Sequence, residues 1–105
     1  MAVIHVEDQD FKTKVEAGDK LIVKFYADWC GSCKLVAPKF RRISEGASAS
    51  EIQFLEVNAE TSPEARKLAG VSNLPFFATF ANGAVVEAFA TSKEDIINEM
   101  IAKLN

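Results

Sequence analysis

Both cysteines of the 105-residue chain fall in one short run, Asp28-Trp29-Cys30-Gly31-Ser32-Cys33-Lys34. Thiols at i and i+3 can close into a disulfide and reopen with little backbone movement, which is the chemistry of a redox switch. The competing assignments are an inert buried pair and half of a metal site. Structural zinc normally takes four protein ligands, and beyond the two cysteines the chain offers one distant histidine, His5, so no metal is expected.

The flanking segments decide how such a pair is presented. Upstream, Leu21-Ile22-Val23-Lys24-Phe25-Tyr26-Ala27 reads as a strand (21–27), nearly all apolar as when both faces of a parallel strand are covered. Downstream, Val36, Ala37, Phe40 and Ile43 recur at helical spacing in a helix from about 31 to 47, which Pro38 should kink. Cys30 then stands at the first helical turn, where unpaired backbone N–H groups and the helix dipole favour an anion. Its thiolate should form more readily than the roughly 8.5 of a free thiol suggests. Cys30 is therefore the expected nucleophile, and Cys33, one turn on and facing inward, the resolving thiol. Lys34 is close enough to help that thiolate slightly. Trp29, the only tryptophan, directly precedes the nucleophile and reads as part of a docking surface rather than as core.

The other elements follow from periodicity and punctuation. Val3-Ile4-His5-Val6 is a short strand, and Asp8 a candidate cap for a helix carrying Phe11 and Val15 and ending at Gly18. A third strand spans Ile52 to Asn58. Ser62-Pro63 opens a helix that Gly70 stops. Phe76 to Ala81 and Ala84 to Phe89 flank Asn82-Gly83, the pattern of a tight hairpin. Thr91-Ser92-Lys93-Glu94-Asp95 offers overlapping capping boxes for a last helix, whose stripe is Ile96, Ile97, Met100, Ile101 and Leu104. The order is β-α-β-α-β-α-β-β-α, with no linker or repeat. His5 is expected to be structural or exposed, and Asp8, Asp10, Glu94 and Asp95 to be helix N-terminal charges.

At 105 residues the chain makes one domain (1–105) with room for a substantial core. A net charge of −3 and no basic cluster argue against nucleic acid or an anionic membrane as partner. The N-terminus lacks the features of a signal peptide, so a cytoplasmic location is expected, or an organelle if a transit peptide has been removed. Two cysteines in a reducing compartment favour a catalytic pair over a static bridge.

Along essentially its whole length the chain resembles the thioredoxin family. The carrying residues are Phe25 to Lys34 with their Trp-Cys-Gly-x-Cys-Lys core, Pro38, Leu74-Pro75 before a strand, and Asn82-Gly83. The resemblance implies an α/β thioredoxin fold: a central five-stranded mixed β-sheet flanked by four α-helices. It implies a protein-disulfide reductase that needs no bound cofactor, with electron transport and redox homeostasis as its setting. The implied partners are disulfide-containing proteins and a thioredoxin-reductase-type electron donor, and the expected state is a monomer. Pro75 resembles the family's cis-proline, with Trp29, Gly31, Ser32 and Leu74 bordering the same docking groove.

Three positions depart from the family pattern. Ser32 replaces the usual proline between the cysteines, restoring a backbone N–H and shifting the dithiol–disulfide balance. Lys24 stands where the family carries a buried aspartate, and Glu56 where it often carries the facing lysine. Each is a lone charge in an apolar strand, so an ion pair with its signs exchanged is expected, with Glu56 as the carboxylate that handles the resolving thiol's proton and Lys24 positioning it or stabilising a thiolate. The alternative is that both reach solvent at the sheet's edges. Finally, Phe76 follows Pro75 in place of threonine, and Ala90-Thr91-Ser92 lacks a glycine, which should alter how substrate backbone approaches. The rival functions are a binding module of the same fold with little turnover, and an oxidase- or isomerase-leaning variant.

Overall fold

The computed structural model describes residues 3–46 and 51–104. Nine elements run in order: β1 (Val3–His5), α1 (Asp8–Glu16), β2 (Leu21–Tyr26), α2 (Gly31–Ser44), β3 (Gln53–Asn58), α3 (Pro63–Ala69), β4 (Phe76–Ala81), β5 (Ala84–Ala90) and α4 (Glu94–Ala102). The five strands form one sheet in the order β1-β3-β2-β4-β5. β1 and β2 both run parallel to β3, whereas β4 runs antiparallel to β2 and to β5. The elements match the order expected from sequence. Position 47, to which the cysteine-bearing helix was expected to reach, lies outside the described residues, and α2 ends at Ser44.

Alternation along β2 sends its side chains to two cores. Leu21, Val23 and Phe25 join Phe11 and Val15 of α1 and Ala65 and Ala69 of α3. Ile22 joins Val36 and Phe40 of α2 and Ile97, Met100 and Ile101 of α4. Both cores are knit by tilted or edge-on aromatic pairs: Phe11 on Phe80 at 5.4 Å, and Phe40 on Phe77 at 5.2 Å. Burial on both faces explains why the run that precedes the cysteines is apolar apart from Lys24. The exposed Pro38 lies within α2, which continues through it to Ser44.

The hairpin turns at Asn82 and Gly83, both with positive φ (56° and 84°), as a two-residue turn between twisted strands demands. Beyond it the register slips between Thr79 and Phe80. The buried Thr79 hydroxyl accepts from the Glu87 N–H at 3.0 Å and so satisfies the backbone at the irregularity.

The helix caps differ from expectation. Asp8 is the first residue of α1, not its cap; Glu7 precedes the helix and makes no side-chain cap bond. The Asp8 carboxylate instead accepts from the backbone N–H groups of Glu64 (3.2 Å) and Ala65 (2.9 Å), capping α3 from across the fold. The capping boxes before α4 do not form either. Lys93 precedes that helix without a side-chain cap, and Thr91 Oγ1 accepts from Lys93 N, before the helix begins. An Arg42–Glu94 ion pair at 3.0 Å ties α4 to α2.

Candidate active site

β2 delivers the chain to the cysteines, and α2 begins immediately after Cys30, which is the residue before the first helical turn. Its sulfur accepts from the Cys33 backbone N–H at 3.2 Å, satisfying one of the donors that a helix start leaves free. The same donor, with the helix dipole behind it, would stabilise a thiolate on Cys30 in the reduced protein. Cys30 and Cys33 are joined as a disulfide with Cα atoms 5.3 Å apart. Both are buried, packed with Ala27, and Leu74 covers them from the loop before β4.

The surroundings are open, with apolar side chains exposed among charged ones. Trp29 is 68% exposed and Leu35 72%, so two large apolar side chains face solvent beside a buried disulfide. Gly31 and Ser32 are exposed between the cysteines. Pro75 is buried behind a cis Leu74–Pro75 bond, and its carbonyl accepts from Thr91 N at 3.2 Å, tying the loop after β5 to this corner. Phe76 corrects an expectation. Alternation along β4 turns it away from the docking surface into the α1–α3 core, edge-on to Phe25 at 6.3 Å.

Beside Cys33 a pocket of about 200 Å³ is lined by Cys33, Lys24, Glu56, Tyr26, Asp28 and Lys34, among others. Lys24 and Glu56 are register partners on β2 and β3, and Lys24 Nζ lies 3.5 Å from Glu56 Oε1. Lys24 is 5% exposed, so it does not reach solvent at an edge; the rings of Tyr26 and Phe40 lie 5.5 and 6.0 Å from its ammonium. Burial pushes the Lys24 pKa below its ordinary 10.5, with Glu56 working against that shift. Tyr26 is raised above 10, first by burial and then by the carboxylates of Glu56, Asp28 and Glu7.

Two neighbours of the site were missed in the sequence. The Trp29 indole N–H donates to Glu60 Oε2 at 2.5 Å, fixing the exposed ring; nothing local to either residue signals a contact 31 positions apart. His5, expected to be merely structural or exposed, is the register partner of Glu56 on its other side, with Nδ1 3.6 Å from Glu56 Oε2. Its place opposite a lone strand carboxylate was the available signal. A larger groove of about 820 Å³, lined by Asp8, Lys12 and Leu68 among others, shares no lining residue with the cysteine site.

A disulfide at a helix start, flanked by exposed apolar side chains and a cis-proline loop, performs thiol–disulfide exchange with other proteins. The fold and site thus define a protein-disulfide oxidoreductase. The thioredoxin family model matches residues 2–103. A thioredoxin from Malassezia sympodialis is 35% identical over 86 residues, 81% of this chain and 80% of that protein. The crystal structure of Schistosoma mansoni thioredoxin superposes with a TM-score of 0.87 at 28% identity, covering 97% of this chain and 94% of that one. A chain in the crystal structure of a complex of ferredoxin:thioredoxin reductase with thioredoxin f2 does so with a TM-score of 0.87 at 24% identity, covering 97% and 94%. The chain belongs to the thioredoxin family.

Proposed function

We propose that this chain reduces disulfides in other proteins with Cys30 as nucleophile, Cys33 as resolving thiol and Glu56 as the base that serves Cys33. The Cys30 thiolate attacks one sulfur of the substrate disulfide; the other sulfur leaves with the bonding electrons and takes up a proton. Cys33 then gives up its proton and attacks Cys30, forming the intramolecular disulfide and releasing the second substrate thiol. Two electrons and two protons pass from the dithiol to the substrate. The observation that carries this reading is the pocket that Cys33 shares with Lys24 and Glu56. Lys24 holds the Glu56 carboxylate toward that pocket and offsets its charge.

Trp29, Gly31, Ser32, Leu74 and Pro75 border the groove in which an extended substrate segment would lie. Regeneration falls to a thioredoxin-reductase-type donor, a reading supported by the likeness to a chain in a reductase–thioredoxin complex. Residence as a monomer in a reducing compartment, the cytosol or an organelle reached after removal of a transit peptide, completes the proposal, because a dithiol turns over as a reductant where thiols are kept reduced.

The test is steady-state reduction of a disulfide-linked model protein, driven by dithiothreitol, against Cys30→Ser. Turnover far above the variant is expected. Turnover no faster than the variant overturns the proposal and favours a binding module that uses the exposed Trp29 surface.

A further inference from the structure

His5, Glu56 and Lys24 stand abreast at one register across β1, β3 and β2. Alternation sends all three side chains to the same face of the sheet, the face that carries Cys33 above it. Lys24 occupies the buried end of this row at 5% exposure, Glu56 is intermediate, and the His5 side chain is 43% exposed. The row therefore runs from the pocket lined by Cys33 to solvent.

The contacts of His5 are divided between its two ring nitrogens. Nε2 lies 2.8 Å from Glu7 Oε2, outside the sheet. Nδ1 faces inward, 3.6 Å from Glu56 Oε2 and 3.4 Å from the Tyr26 hydroxyl. Among the described residues, Glu7, Glu56 and Tyr26 are its polar side-chain partners. With the proton on Nε2, the ring donates to Glu7 while Nδ1 stands open toward Tyr26 and Glu56. With a proton on both nitrogens, it bridges two carboxylates. Imidazole is the one side chain that takes a proton at one nitrogen and releases another from the second near neutral pH.

We propose that His5 is a positioning residue that acts through Glu56, carrying the proton taken from Cys33 out to solvent. This deepens the proposed function and rests on its assignment of Glu56 as the base. The Cys33 proton passes to the Glu56 carboxylate as the Cys33–Cys30 bond forms and the Cys30–substrate sulfur bond breaks. The proton then moves from Glu56 to His5 Nδ1, and His5 Nε2 releases its own proton past Glu7 to water. Glu56 is left ionised for the next turnover, and no electrons pass through the histidine. The 3.6 Å separation exceeds a hydrogen bond, and one bridging water or a small rotation of the half-exposed ring closes it.

The experiment follows a single turnover of the fully reduced protein against a model disulfide protein. Acid quenching at intervals and mass measurement separate formation of the mixed disulfide from its resolution. Wild type, His5→Ala, His5→Gln, Glu56→Gln and the His5→Ala/Glu56→Gln double variant are compared, with and without free imidazole. His5→Ala is expected to slow resolution about tenfold, short of the hundredfold or more that removing a general base outright can cost. Formation of the mixed disulfide stays unchanged, free imidazole restores resolution in His5→Ala, and the double variant is no slower than Glu56→Gln. His5→Gln, which keeps the polar volume of the side chain, is slowed in the same way if His5→Ala does not fold. Slow resolution in Glu56→Gln with wild-type rates in both His5 variants overturns the role of His5 and leaves Glu56 standing. So does a loss in His5→Ala that imidazole does not restore. Wild-type resolution in Glu56→Gln overturns the Glu56 assignment, and with it the relay.

Discussion

Replacing Glu56 with glutamine keeps the side chain's shape and removes the charge that faces Lys24. The ammonium then remains in a site where it is 5% exposed, with no counter-ion at 3.5 Å. The attraction itself sets a ceiling on the cost. At that separation an effective dielectric of about 20 gives roughly 5 kcal/mol before solvation is counted. The lysine can instead shed its proton, which burial already favours. Breaking a fully buried pair from one side usually costs about 3–5 kcal/mol, and the partial exposure of Glu56 brings the expectation to about 2–3 kcal/mol. The Lys24→Met/Glu56→Gln double variant leaves no buried charge and should fall within about 1 kcal/mol of wild type. Urea unfolding at neutral pH measures all three, and thermal unfolding should drop by roughly 10 °C for the single variant. A Glu56→Gln protein within about 0.5 kcal/mol of wild type would show that the buried ammonium does not depend on Glu56. A double variant less stable than the single one would do the same, because Lys24 would then be held by something other than its pair.

Asp8→Ala removes the acceptor for two backbone N–H groups at the start of α3 and should cost about 1–2 kcal/mol, read from the urea midpoint. Turnover at the cysteines should be unchanged, and a loss under about 0.3 kcal/mol would show the trans-cap to be idle. The pH dependence of stability carries the signature of Lys24. Its folded-state pKa lies below 10.5, so between the lowered value and 10.5 the unfolded chain binds the extra proton and stability rises with pH. Tyr26 acts with the opposite sign above 10, where the folded chain keeps the proton that the unfolded chain loses. The stability of wild type relative to Lys24→Met should therefore climb as pH approaches 10, and a flat difference between the two urea curves contradicts the burial of Lys24.

The parts of this molecule that could be read from sequence are those with local causes. Apolar runs and periodicity mark the nine elements, Asn82-Gly83 marks the hairpin, and the i, i+3 cysteines mark the helix start. The Lys24–Glu56 contact was readable because a lone charge in an apolar strand calls for an opposite charge, and the resemblance to the family pointed to position 56 as its place. Contacts with non-local causes were not readable. Asp8 looked like a cap for its own helix, yet its carboxylate serves α3, 56 and 57 residues on, because α1 and α3 cover the same face of the sheet. His5 meets Glu56 through a β1–β3 register that no turn specifies; the intervening β2 and two helices set it by packing. Phe76 was assigned to the docking surface by its neighbour Pro75, whereas the alternation of β4 sends it into the core.

The proposed roles, attack by Cys30 and resolution by Cys33, are measured most directly by the intact mass of Cys33→Ser after exposure of the reduced protein to a disulfide-linked model substrate. A stable covalent adduct through Cys30 is expected, and none when Cys30→Ser is treated in the same way. An adduct that accumulates on Cys33 in Cys30→Ser, with none on Cys33→Ser, would reverse the two roles.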